Sequence, residues 1–207
     1  VYLGAQKSDN LLIMANEIKR CGWCVGDGLY ERYHDEEWGS PTYNDQQLFE
    51  FLLLEGAQAG LSWITILRKR EGYRQAFDGF DPEKMARYRP ARINKLLQNP
   101  EIVRNRLKVE SAVSNARLFL DIRERTGSFS DYVWQFMDHQ PRQNRFRSMK
   151  QVPATTLESD KMSRTMKKDG FKFVGSTICY AYMQATGMVN DHLVSCFRHK
   201  ECCRLSN

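Results

Sequence analysis

Residues 21–63 read CGWCVGDGLYERYHDEEWGSPTYNDQQLFEFLLLEGAQAGLSW, and this stretch decides the fold. Its second half is helical. Asn44 is an N-cap, and Leu48, Phe49, Leu52 and Leu53 recur along one helix face. Gly56 and Gly60 are expected to interrupt that helix near Glu55. Ser62 caps the next, from Trp63 to about Arg70. The first half, with Gly22, Gly26, Gly28, Gly39 and Pro41, reads as loop with short turns. Five aromatics with polar tips lie in the stretch: Trp23, Tyr30, Tyr33, Trp38 and Trp63.

Outward from there the pattern stays helical. Asp81-Pro82 is an N-cap followed by proline at the first helical position, and Pro90 opens a helix carrying Ile93, Leu96 and Leu97. A longer helix starts within residues 99–127, carries Val103, Leu107, Val109, Ala112, Val113, Ala116, Phe119 and Leu120 on its apolar face, and ends at Gly127. Phe129–Met137 is a short aromatic helix, and 139–156 is a polar, basic loop. Ser159 and Ser176 cap two further helices, and Asn190 or Asp191 a short one carrying His192 and Cys196. No alternating strand pattern of useful length occurs, so the fold class is all-α. Residues 1–18 are expected to be an extension outside the fold, with a natural start at Met14. Residues 19–200 form one helical domain of two lobes, and 201–207 a tail.

The net charge of +6 conceals an asymmetry: residues 1–60 hold 4 Lys+Arg against 10 Asp+Glu, whereas 61–207 hold 27 against 15. A basic body is the electrostatic footprint of a nucleic-acid binder, and equally of a solvated basic surface. No apolar run approaches the ~20 residues of a membrane helix, and no secretion signal is present. A monomer in the cytoplasm is the expectation. The six cysteines then point to metal or free thiols rather than disulfides. CGWC lacks the surrounding βαβ pattern of a thioredoxin-type site.

Thiolate and imidazole suit Zn²⁺. His192 and Cys196, four apart, would share a helix face, and Cys21 and His34 lie thirteen apart across a loop. The same residues would serve as buried thiols and surface histidines. Cys24, His199, Cys202 and Cys203 are competing ligands, ranked lower because the last three sit at a ragged C-terminus. The aromatics read either as core-edge packing or as a stacking cage for a nucleobase, where a cationic base gains from the ring faces. Glu55 either sits on an exposed helix side or is buried, and then needs a donor such as the exocyclic amine of a cationic purine. The acidic first segment would favour such a base over phosphate.

KRCGWC (19–24), LYERYHDEEWGSP (29–41), LEGAQAGLSWITILRKRE (54–71), FDGFDPEK (77–84), IVRNRLKVESAVSNARLF (102–119), YVWQF (132–136) and GFKFVGSTICYAYMQATGMVNDH (170–192) together resemble the DNA-3-methyladenine glycosylase I family. The resemblance covers residues 19 to about 197. It implies a helix-hairpin-helix glycosylase whose structural zinc, on Cys21, His34, His192 and Cys196, joins the two ends. It implies a base-recognising glutamate at Glu55 and pocket aromatics at Trp23, Tyr30, Tyr33, Trp38 and Trp63. The segment Ala59–Ser62, with Gly60 and Leu61, corresponds to the family's probe into the gap left by an extruded nucleotide. The hairpin falls on Leu96 to about Val109, with Arg104, Arg106 and Lys108 on phosphates. Glu101 departs from the pattern, since related sequences often carry glycine there; its side chain and charge oppose phosphate approach.

The activity implied is hydrolysis of the N-glycosidic bond of 3-methyladenine in alkylated duplex DNA after base flipping, releasing free 3-methyladenine. Four protein ligands leave a metal no open position for water, so the zinc is expected to be structural. The rival readings are a non-catalytic helical DNA-binding module, a metallohydrolase using the ion as a Lewis acid, and a glycosylase for another base.

Overall fold

The computed structural model describes residues 18–205. Most of the expected N-terminal extension, residues 1–17, lies outside them. Ten helices follow in order: α1 (Gly28–Glu36), α2 (Asp45–Gln58), α3 (Trp63–Ala76), α4 (Pro82–Ala86), α5 (Pro90–Leu96), α6 (Arg106–Thr126), α7 (Phe129–Trp134), α8 (Leu157–Asp169), α9 (Ser176–Ala185) and α10 (Phe197–Leu205). Among the described residues the only strands are β1 (Arg142–Gln143) and β2 (Val189–Asn190), a two-residue parallel pair that ties the long loop to the segment after α9. The all-α expectation holds.

The fold is organised around α2. Its Asn44 cap accepts from the Gln47 N–H. Every residue from Leu48 to Ala57 is buried, as in a helix covered on all sides. It packs on α3, α6, α7 and α9. Phe119 of α6 stands between Phe49 and Phe129, 4.7 Å from each ring. At the start of α2, the Asp45 carboxylate accepts from the N–H groups of Phe129 and Ser130 and so caps α7. The expected interruption at Gly56 does not occur. Gly56 is helical and closely packed, because an added Cβ would lie 3.3 Å from Phe173 Cβ.

Several local expectations are corrected. Residues 28–36 are helix rather than loop, since Asp27 accepts from the Leu29 and Tyr30 N–H groups and outweighs the flanking glycines. α3 extends to Ala76, and α6 begins only at Arg106, capped by Asn105. Thr156 caps α8, with Ser159 completing a capping box, and Gly175 rather than Ser176 precedes α9. His192 and Cys196 lie in a turn ahead of α10 rather than on a helix. The C-terminus is not ragged: α10 runs to Leu205, buries Cys202, and is anchored by Arg198, which donates to Ser40 and Glu201.

Several carboxylates of the acidic first segment are paired with arginines. Asp35 pairs with Arg20, Asp27 with Arg68, Glu37 and Glu50 with Arg70, and Glu50 with Arg74. The pairs of Asp27, Glu37 and Glu50 tie the ends of α1 and the body of α2 to α3, and the Asp35–Arg20 pair ties α1 to the segment before it.

Candidate functional site: an aromatic pocket backed by a metal cluster

α1 presents Tyr30, Tyr33 and His34 on one face, as spacings of three and four require. Tyr33 and His34 are buried there, and Tyr30 is half-buried. Cys21 precedes this helix, and the turn after β2 supplies His192 and Cys196. The ligand atoms of Cys21, His34, His192 and Cys196 lie within 4.8 Å of one another, and all four residues are buried. His34 Nε2 is 3.1 Å from His192 Nδ1, and Cys196 Sγ is 3.4 and 3.7 Å from those two nitrogens. Cys21 Sγ is 3.8 Å from His192 Nδ1. Bonds of ~2.0–2.1 Å to nitrogen and ~2.3 Å to sulfur in a tetrahedron give edges of about 3.3–3.8 Å, so the set fits one such ion.

The outer groups agree. His192 Nε2 donates to Trp38 O at 2.9 Å, which turns Nδ1 toward the cluster. His34 Nδ1 lies 2.7 Å from Asp35 Oδ1, and Asp35 is held by Arg20. Such partners fix ring orientation at metal sites. Without a cation the two thiols cannot share the site as thiolates. Their mutual hydrogen bond pushes Cys196 down and Cys21 up. A dication removes that conflict. Cys24, the other cysteine of CGWC, donates its S–H to Cys21 O and is not among the cluster's ligands.

The pocket shares a wall with this cluster. Trp23 packs against His34 at 5.3 Å and Trp38 against His192 at 4.6 Å. On the other face Trp23 meets Tyr30 at 4.7 Å and Trp38 at 5.0 Å, and Tyr33 meets Trp63 at 5.4 Å. Together with Glu55 these rings line a cavity of about 190 Å³. An apolar cavity of ~150 Å³ holds benzene, so this one suits a single flat heterocycle. The sequence reading missed Gln58, Met149, Ala181 and Gln184, which complete the lining. Met149 comes from the long loop, where no periodicity marked it. Gln184 is set by Asp191, which accepts from its Nε2.

Glu55 is 3% exposed, and burial pushes its carboxyl up to about 8. Its Oε2 and the Trp63 Nε1–H are both buried without a hydrogen-bond partner. Such groups are costly unless a ligand completes them. Two residues of the lining thus carry an unpartnered buried acceptor and donor beside aromatic rings.

Beside the cavity, α2 ends at Ala59 and the chain turns through Gly60, whose φ of +78° favours glycine. Leu61 stands 41% exposed beyond it. The turn between α5 and α6 is seated on α3. Lys69 donates to Pro100 O, and Tyr73 OH accepts from the Val103 N–H. Gly72 lets Glu101 approach, since a Cβ there would stand 2.6 Å from Glu101 Cβ and O. Arg104 and Arg106 are exposed. Lys108 differs from the expected phosphate contact: its Nζ donates to Ala57 O at 2.8 Å and Ala59 O at 2.6 Å.

The comparisons with known proteins converge on one family. The methyladenine glycosylase model matches residues 23–199. The DNA-3-methyladenine glycosylase 1 of Escherichia coli (strain K12) is 46% identical over 190 residues, covering 92% of this chain and 99% of that one. The DNA-3-methyladenine glycosylase of Haemophilus influenzae is 46% identical over 177 residues, 86% of this chain and 96% of its own. A crystal structure of a 3-methyladenine DNA glycosylase I superposes with a TM-score of 0.85 at 49% identity, covering 86% of this chain and 98% of that one. A Staphylococcus aureus structure that describes 3-methyladenine recognition superposes with a TM-score of 0.84 at 35% identity, covering 87% and 96%. With matches of this length and identity over a common fold, the chain belongs to the methyladenine glycosylase family.

Proposed function

We infer that this protein is a DNA repair glycosylase that flips 3-methyladenine out of alkylated duplex DNA and hydrolyses its N-glycosidic bond. The observation that carries the reading is the pairing of Glu55 Oε2 and Trp63 Nε1, buried and unpartnered in a cavity walled by aromatic rings. Named relatives act on this base, and a structure of one relative has 3-methyladenine bound.

Methylation at N3 leaves the nucleobase cationic, so its bond to the sugar is already weak. The flipped base stacks among Trp23, Tyr30, Tyr33, Trp38 and Trp63, gaining cation–π stabilisation. Its charge draws the raised Glu55 carboxyl back to carboxylate, which then accepts from the exocyclic amine. An undamaged, neutral adenine offers no such compensation for the buried charge. As the C1′–N9 bond breaks, its electron pair neutralises the base. Water adds to C1′ and releases a proton to solvent.

Leu61, on the Gly60 turn, fills the gap in the stack, and Arg104 and Arg106 hold phosphates. Cys21, His34, His192 and Cys196 hold one structural Zn²⁺; four protein ligands leave no open position for water and so disfavour the rival Lewis-acid role. No helix of the described residues is long and apolar enough to cross a membrane. We propose that the protein acts as a monomer in the cytoplasm.

The test is incubation with methylated duplex DNA and chromatography of the released bases. Release of 3-methyladenine, abolished or strongly reduced in Glu55→Gln with its fold intact, is the expected outcome. No release from a folded, metal-loaded protein would leave a DNA-binding module instead.

A further inference from the structure

Lys108 is the second residue after the first position of α6, on the helix that follows the hairpin turn, where a free lysine would face phosphate. Its ammonium instead points inward. It donates to Ala57 O and Ala59 O, two carbonyls at the end of α2. Helix ends leave such carbonyls without intrahelical partners, and a cation there also complements the helix dipole. The next two residues are Gly60 and Leu61, the exposed turn beside the cavity. Leu61 N–H donates to Gln58 O at 2.6 Å, so the turn is folded back on the same helix end that Lys108 holds. Burial lowers the Lys108 ammonium from its ordinary range, consistent with an enclosed position. Lys108 lines a small cavity together with Leu53, Ala57, Val109 and Ala112. No other side chain among the described residues is recorded bonding to the carbonyls of 57 or 59.

We propose that Lys108 is a positioning residue: it locks the wedge turn Gly60–Leu61 to the helix that follows the DNA-gripping hairpin, so that phosphate engagement and insertion of Leu61 occur as one rigid movement. The hairpin itself is braced on α3, which starts immediately after the wedge at Trp63. The wedge is thus held at both ends: by Lys108 on its N-terminal side and by α3 on its C-terminal side. Loss of the N-terminal hold leaves the cavity intact, because Glu55 stays in the buried run of α2 and Trp63 in α3. What it loses is the fixed placement of Leu61 in the base stack.

The inference rests on the glycosylase reading for its kinetic readout, and a spectroscopic readout stands apart from catalysis. The variants are Lys108→Met, which keeps the stem, and Lys108→Gln, which keeps one donor. Unstacking is followed with a 2-aminopurine placed beside a non-cleavable abasic analogue in duplex DNA. Excision is followed in single turnovers at saturating protein, on duplex and on a substrate whose 3-methyladenine lies in an unpaired bubble. A displacement of order 1 Å in a positioning element costs up to about 100-fold, so we expect Lys108→Met to slow duplex excision by at least about tenfold. The fluorescence rise on binding is lost, Lys108→Gln is intermediate, and the bubble substrate recovers most of the rate. Affinity for free 3-methyladenine and the salt dependence of DNA binding stay as in the wild type.

A fall of about one in the salt slope, with the saturated rate unchanged, would show a phosphate contact and overturn the proposal. Equal losses on duplex and bubble together with weakened free-base binding would show a general packing role and overturn it too. If the wild type itself released no base, the glycosylase reading would fail, while the fluorescence comparison would still decide the role of Lys108.

Discussion

The base pocket and the hairpin are held by opposite means. The pocket draws its walls from both ends of the chain: α1 and the segment before it face the turn after β2. Trp23 and Trp38 lean on His34 and His192, so the rings that would grip a base are packed against the metal ligands themselves. The hairpin is local and needs no ion. It rests on α3 through Lys69, Tyr73 and the bare backbone of Gly72. One region is closed by a cluster of side chains that joins the two ends of the described chain and could hold a metal ion, the other by hydrogen bonds between side chains of one helix and the hairpin backbone. The lesson is that recognition of the base and recognition of the backbone can be damaged separately.

The largest way to break the comparison is to remove the ion. Cys196→Ser, or chelation, is expected to lower stability by several kcal/mol, less than the ~10–16 kcal/mol apparent in zinc-finger peptides because this chain has its own core. Base affinity should vanish before helical content does, measured by titration with 3-methyladenine beside circular dichroism. Metal content by mass spectrometry identifies the ion. Retained base affinity in the stripped protein would uncouple pocket and cluster.

Glu55 supplies a sharper test through pH. Its folded carboxyl titrates near 8, above the ordinary 4.5, because burial favours the neutral form. Its contribution to stability is therefore complete below about 4.5 and is lost as pH rises to about 8. Glu55→Gln cannot ionise, so its melting temperature should gain on the wild type across that window. At ~1.36 kcal/mol per pKa unit the gain amounts to a few kcal/mol. Equal pH profiles would mean that the carboxylate is solvated. The same substitution lowers excision, so stability and activity move in opposite directions, as at a site built to meet a charged ligand.

On the hairpin side, Gly72→Val should cost about 1–3 kcal/mol through overpacking against Glu101. Duplex affinity should drop while free-base affinity is kept. The smallest effect belongs to Glu101→Gly, which removes an exposed negative charge near the expected phosphate path. A severalfold gain in duplex affinity at low salt, fading as salt rises, is the expected result. No gain would show that the Glu101 carboxylate stands clear of DNA.

The elements with strong local signals were legible. Asn44, Asp81-Pro82 and Gly127 bound their helices as read, and the apolar face of α6 is buried at Val109, Ala112, Val113, Ala116 and Phe119, whereas Val103 precedes the helix and Leu107 is exposed. The four metal ligands assemble, but not as the spacing argued. His192 and Cys196 converge from a turn, and the i,i+4 separation was coincidental to a helix face. α1 was hidden by Gly26 and Gly28, because glycine reads as loop while an Asp27 cap is a single residue. α10 was hidden because its partners are distant in sequence, among them Ser40 and Asn144. Lys108 is the plainest limit. A lysine at the head of a helix in a basic segment signals phosphate, and nothing in the sequence reveals two carbonyls from fifty positions earlier.

α3 also sets a length standard. It begins at Trp63 in the cavity, and Gly72 and Tyr73 meet the hairpin further along. A helix advances ~1.5 Å and turns ~100° per residue, so one inserted residue between them would swing the hairpin seat to another side of the rod. On the proposed function, this fixed helical span would act as an internal ruler between the flipped base and the phosphates that the hairpin holds, and an insertion within it would separate base recognition from backbone grip.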